Sequence, residues 1–163
     1  PVTRYVIKGF LACAGGAEVN QVNVRAMASS LGIMVEEVKA HEGPDYAEWM
    51  HVEASSDDGN KVSAGGTFFG GHPWIVRING RNVEAVAEGV LFLMNNVDKP
   101  GMVGYIGSLM GEHQVNIANM SLNRDAAGGE ALMILNLDHE PPAALLEKVA
   151  GDSSITNVKV VSI

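Results

Sequence analysis

The stretch Asn95-Asn96-Val97-Asp98-Lys99-Pro100-Gly101-Met102-Val103 brings complementary groups close together. The carboxylate of Asp98 can accept from an ammonium group. Met102, Val103, Ile106, Leu109 and Met110 are spaced as on one face of a helix, so Pro100 and Gly101 fall at its start. The first N–H groups of a helix have no partner inside it and suit a small carboxylate. Asn116, on the strand expected after that helix, offers an amide to a hydroxyl or a carboxylate. An anion cradle, a cation acceptor and a polar reader are what a free amino acid needs. Plain structural roles are open to the same residues. Asp98 can serve as a helix-start charge, and Asn116 can satisfy backbone.

Chemistry of other kinds finds little support. The 19 glycines include Gly15-Gly16, Gly65-Gly66 and Gly70-Gly71, which read as turns or bulges. No dinucleotide fingerprint, phosphate loop or nucleophile elbow occurs. His41, His51, His72, His113 and His139 are scattered, and Cys13 has no second cysteine to join it at a zinc site or in a disulfide. A metal near His41, Asp45 and His51 is less expected than turn or surface roles for them. No catalytic residue, metal or cofactor is therefore assigned to this chain. With 11 basic residues against 19 acidic ones, the net charge of −8 disfavours nucleic acid as a partner. No apolar run reaches membrane-span length and no leader is visible, so a cytoplasmic location is expected. A chain that begins with Pro1 reads as a fragment or a processed product.

Hydrophobic residues make up 47 % of the 163, enough for one domain or two small ones. Val6, Ile7, Phe10, Leu11 and Ala14 predict a helix over 3–14 with Thr3 as its N-cap. Asn23 reads as the cap of a second helix through Leu31, closed by Gly32. Ile33 to Ala40 reads as a strand. Strands are expected over 49–54, 61–69, 74–78 and 81–86, with Asn79-Gly80 as a hairpin turn. From residue 86 the order changes to strand 89–95, helix 100–113, strand 115–122, strand 131–137, helix 141–150 and strand 155–163. That is the βαββαβ, ferredoxin-like pattern. The fold class is α+β, with domains expected at 1–85 and 86–163. One sheet face and one edge are left for self-association.

The segments Asn96 to Gly104 and Gln114-Val115-Asn116-Ile117-Ala118 resemble an ACT domain, a small-molecule sensing module. Arg124 to Leu132 (RDAAGGEAL) and Met133 to Asp138 are similar to the ACT domain of long-type bacterial D-3-phosphoglycerate dehydrogenase. Val19 to Val24, Gly65 to Gly71 and Ile75 to Gly80 resemble the intervening, allosteric substrate-binding domain of the same family. The resemblance implies the regulatory part of an NAD-dependent oxidoreductase of L-serine biosynthesis, with the catalytic domains and their NAD outside this chain. It also implies L-serine as a feedback effector bound between paired ACT domains, and a dimer or tetramer. Carried over, the effector site comprises Asn96, Asp98, Lys99, Pro100, Gly101, Met102, Val103, Asn116 and Ile117. Some relatives carry a basic anion site between the two domains. Its positions here are Trp74, Asn82, Val86 and Asn136, none of them basic, and Arg77 and Arg81 read as exposed strand and turn charges. Two other readings are the regulatory portion of an iron–sulfur L-serine dehydratase and a dimerisation scaffold without a ligand. A lone Cys13 cannot supply the cluster ligands that such a dehydratase needs.

Overall fold

A computed structural model describes residues 2–13, 19–39, 46 and 49–163. Contacts divide the chain into two compact units, residues 1–45 and residues 46–163. The first contains α1 (Val2–Cys13) and α2 (Val24–Ser30). Ile7 and Leu11 of α1 lie one turn apart, as do Val24 and Ala28 of α2, and these four form the buried cluster of the unit. At the end of α2, the N–H of Gly32 bonds to Ser29 O at 3.0 Å and that of Ile33 to Ala28 O at 2.9 Å. This pair satisfies carbonyls that the helix leaves open and confirms Gly32 as the stop.

Three local expectations are corrected in this unit. Thr3 lies within α1, not at its cap, and its hydroxyl donates to Glu37 Oε2 at 2.6 Å. The Asn23 side chain does not cap α2. It accepts from the Asn20 N–H, while the Asn20 side chain takes the N–H groups of Val22 and Asn23. Residues 33–39 form no strand. Their β-type composition meets no partner strand among the described residues. Glu37 holds the segment instead, through Thr3 and through Arg25 Nη2 at 3.6 Å. Ala14, Ala40, His41 and Asp45 lie outside the described residues, so the ends of two expected elements and two candidate metal ligands do too. No metal-ligating cluster occurs among the described residues.

The second unit contains two four-stranded antiparallel sheets. The first runs in sequence order through β1 (Met50–Ser55), β2 (Lys61–Phe69), β3 (His72–Ile78) and β4 (Arg81–Val86). The turn at Asn79-Gly80 has φ of 48° and 80°, as a two-residue hairpin requires. The register shifts at Gly65/Gly66, so this pair is the bulge that the sequence allowed. A Cβ on Gly65 would lie 2.2 Å from the end of the Trp49 ring, which rests on that gap. Arg77 also stands over this indole, 5.7 Å from its centroid.

The second sheet has the order β6-β7-β5-β8, built from β5 (Val90–Val97), β6 (Ile117–Arg124), β7 (Glu130–Leu137) and β8 (Ile155–Ser162). The helices α3 (Met102–Glu112) and α4 (Ala143–Ala150) complete the βαββαβ pattern. Phe92, Met94, Met133 and Leu135 bury one sheet face against Ile106, Leu109 and Met110 of α3 and Leu145 and Val149 of α4. The other face is not free. Leu91, Leu132 and Ile134 pack against Val83 and Ala85 of β4, and Asn136 Nδ2 donates to Val86 O at 2.9 Å. β4 also reaches β6, where the Glu84 N–H donates to Ser121 Oγ at 3.2 Å, and among the described residues the outer edges of β6 and β8 have no ladder partner. The N–H of Ile163 bonds to Gly89 O at 2.9 Å, so the far end of this half returns to its beginning.

Candidate functional site

The loop after β5 has the shape expected for a site at a helix start. Pro100, expected as the first helical residue, instead precedes α3, whose N-cap is Gly101. Gly101 has φ of 92°, a conformation that side chains strain to adopt, and no side chain caps the helix. Met102 N–H reaches Lys99 O at 3.4 Å and Tyr105 N–H reaches Gly101 O at 2.8 Å. Among the described residues nothing else binds the first turn from outside, so the N–H groups of Val103 and Gly104 face outward for an anion.

Asp98 is already engaged. Its Oδ2 accepts from Arg124 Nη1 at 3.1 Å and from the Gly128 N–H at 3.2 Å. Those two donors, Gly128 first, hold its carboxyl below the usual range, so Asp98 is ionised at neutral pH. Its own N–H bonds to Gly129 O at 2.8 Å. The loop after β5 is thus fastened to the turn between β6 and β7 by main chain and side chain together.

The other expected residues divide by location. Asn96 is a strand residue, buried to 3 % exposure, not a loop residue. Its Nδ2 donates to Val97 O at 2.9 Å, and its Oδ1 is buried without a partner. Lys99 donates to Ser154 Oγ at 2.5 Å, beside the start of β8. Met102 is buried in the core, so it offers the site only backbone, whereas Val103 is exposed. Ile117 packs against the core cluster and presents no group to a ligand.

Asn116 does not join Asp98. It precedes Ile117, which pairs with Leu137, and Leu137 pairs with Val90 at the beginning of β5. Asp98 follows Val97, which pairs with Glu130 at the opposite end of the sheet. Leu137 and Glu130 are seven strand steps of ~3.4 Å apart, and Asn116 and Asp98 each lie one residue beyond those levels, so more than about 24 Å separates the two residues. Asn116 Nδ2 instead donates to Asp138 Oδ2 at 2.9 Å.

The sequence reading missed the partners that surround Asp98. The spacing of residues gives Arg124 no role and reads Arg81 as an exposed charge. Arg81 is in fact 23 % exposed, with Nη2 2.7 Å from Asp125 Oδ2 and 2.6 Å from Glu130 Oε2. The signal for Arg124 was the short 125–129 turn. Pairing across it brings the end of β6 level with the end of β5.

Two family models match the chain. That of the D-3-phosphoglycerate dehydrogenase intervening domain matches residues 1–79, and that of the ACT domain matches residues 90–151. The D-3-phosphoglycerate dehydrogenase of Methanocaldococcus jannaschii is 33 % identical over 162 residues, which is 99 % of this chain and 30 % of that protein. The enzyme of the same name from Mycobacterium tuberculosis is 33 % identical over 159 residues, 96 % of this chain and 30 % of its own length. That from Bacillus subtilis is 28 % identical over 165 residues, 99 % and 31 % respectively. The chain spans about 30 % of the length of the curated relatives it matches.

Proposed function

Because the chain belongs to the D-3-phosphoglycerate dehydrogenase family through its intervening domain and its ACT domain, we propose that it senses L-serine. On this reading it regulates an NAD-dependent enzyme of serine biosynthesis that oxidises 3-phosphoglycerate, and the functional division follows residues 1–85 and 86–163. It is silent as a dehydrogenase by itself. No catalytic residue, metal or cofactor is assigned to it, and NAD belongs to the catalytic domains.

The observation that carries the reading is the open start of α3 beside an ionised Asp98. The N–H groups of Val103 and Gly104 suit the serine carboxylate, and Asp98 suits its ammonium group. The span of more than about 24 Å between Asp98 and Asn116 means that a ligand touching both needs two copies. β6 is an edge strand with Met120 and Leu122 each 41 % exposed. Two β6 edges paired antiparallel about a two-fold axis set the beginning of one beside the end of the other. Asn116 of one copy then meets Arg124 and Asp98 of its partner.

Titration of L-serine into the chain by calorimetry tests this reading. Binding is expected in the parent and weakened in both Asp98→Ala and Asn116→Ala. Absence of heat and of a thermal shift in the parent leaves the dimerisation scaffold as the better account.

A further inference from the structure

The turn between β6 and β7 is held from two sides. On one side Asp98 takes Arg124 and the Gly128 N–H, and returns its own N–H to Gly129 O. On the other side Arg81, the first residue of β4 in the other sheet, reaches Asp125 and Glu130. The five residues 125–129 therefore sit between the loop after β5 and the first sheet.

The grip on the Arg81 side is built. Nη2 bridges two carboxylates at 2.7 and 2.6 Å, and Nη1 is buried with no acceptor. The guanidinium is half-buried and its two carboxylate partners are more exposed, so its place depends on the opposing charge of both. Asn95, three residues before Asp98, also hydrogen-bonds the Glu130 carboxylate. Nearby, Val83 and Ala85 of the same strand pack on Leu91, Leu132 and Ile134, so a shift of the turn is carried by a packed contact as well.

We propose that Arg81 is a positioning residue for the effector loop. By balancing Asp125 and Glu130 it leaves Arg124 to Asp98, and so ties the state of that loop to the first sheet. The charge count gives the mechanism. Without Arg81, three carboxylates (Asp98, Asp125 and Glu130) face Arg124 alone, and Arg124 is drawn off Asp98. In the other direction, an ammonium ligand that takes Asp98 releases Arg124 toward Asp125 and loosens the Arg81 bridge. The inference rests on Asp98 being part of the effector site, as proposed above.

The two tryptophans of the chain, Trp49 and Trp74, both belong to the first-sheet region and neither to the βαββαβ half. Their fluorescence thus reads the far side of the bridge. In the parent, L-serine is expected to bind by calorimetry and to shift this emission. In Arg81→Ala, binding is expected to persist with the emission shift lost, and Arg81→Lys restores only part of it, because the lysine ammonium ends one bond short of the Nη2 that makes both contacts. Serine that binds the parent without moving the emission overturns the proposal.

A ligand-free measurement separates this from the sensing role. Independent sites multiply their effects on the unfolding constant. For Asp98→Ala, Arg81→Ala and their double variant, a departure from the product of at least about fivefold is expected. A product obeyed within about twofold overturns the coupling, whether or not serine binds. Should Arg81→Ala not fold, Arg81→Lys takes its place in the cycle.

Discussion

Asp98 accepts from Arg124 and Gly128, so a ligand ammonium has to share or replace charge-assisted contacts that already exist. Its gain is smaller than an unpaired carboxylate would provide. Even so, Asp98→Ala is expected to weaken serine binding by roughly tenfold to a hundredfold, read by calorimetry with circular dichroism as the fold control. Asn116→Ala, which removes a neutral amide, should cost about fivefold. An Asp98→Ala variant that binds as tightly as the parent would place the ligand elsewhere. The same carboxylates predict an acid response. Asp98, Glu130 and Asp152 are all held below their usual range, chiefly by Gly128, Arg81 and the Ser154 N–H respectively. Groups with a depressed folded pKa contribute stability above the unfolded value and lose it as pH falls through the folded one. Their contribution to the melting temperature should be constant from pH 7 to about 5 and decline below about 4. Asp98→Asn should melt lower than the parent at pH 7, with the gap closing in acid. The sequence exposed Asp98 as a charge at a helix start, but its partners come from the far side of a hairpin and depend on strand register.

Among the elements, α3 depends most on one backbone position. Gly101 at φ 92° turns the chain from Lys99 and Pro100 into Met102, and a Cβ there meets no neighbour. The cost of Gly101→Ala is therefore conformational, about 1–2 kcal/mol. It should appear in denaturant unfolding, with serine affinity falling as the helix start shifts. Leu145→Ala in the fully buried face of α4 should cost more, about 2–5 kcal/mol, while leaving serine affinity nearly unchanged. Apolar spacing made α3 and α4 legible, and the Asn79-Gly80 turn made its hairpin legible, because those signals are local. Residues 33–39 carry the same β-type signal and form no strand, since a strand also needs a neighbour. Asn96 sits on the core-facing side of β5 beside Met94 and Phe92, and its burial follows from alternation along the strand, which a loop assignment overlooks. Helix α3 runs back before β6 begins, so β6 starts at the end of the sheet opposite to where β5 stops. Topology alone thus separates Asn116 from Asp98, a consequence of the βαβ crossover that motif spacing conceals.

At the scale of the molecule, the face expected to be open for association is closed by β4, and the edges of β6 and β8 have no ladder partner among the described residues, of which the β6 edge is the one the shared-site reading uses. A dimer is therefore expected in sedimentation at micromolar concentration. Replacing Met120 and Leu122 by Lys should shift it toward monomer and weaken serine binding in parallel, since a shared site fails with its interface. A monomeric parent at that concentration would contradict the two-copy site. The bond from the Ile163 N–H to Gly89 O has a different consequence. The βαββαβ half enters and leaves at neighbouring points on one sheet, as a cassette does. Such a unit can be spliced between other domains, or reopened at residues 125–129 with 163 joined to 89, without its strands changing neighbours.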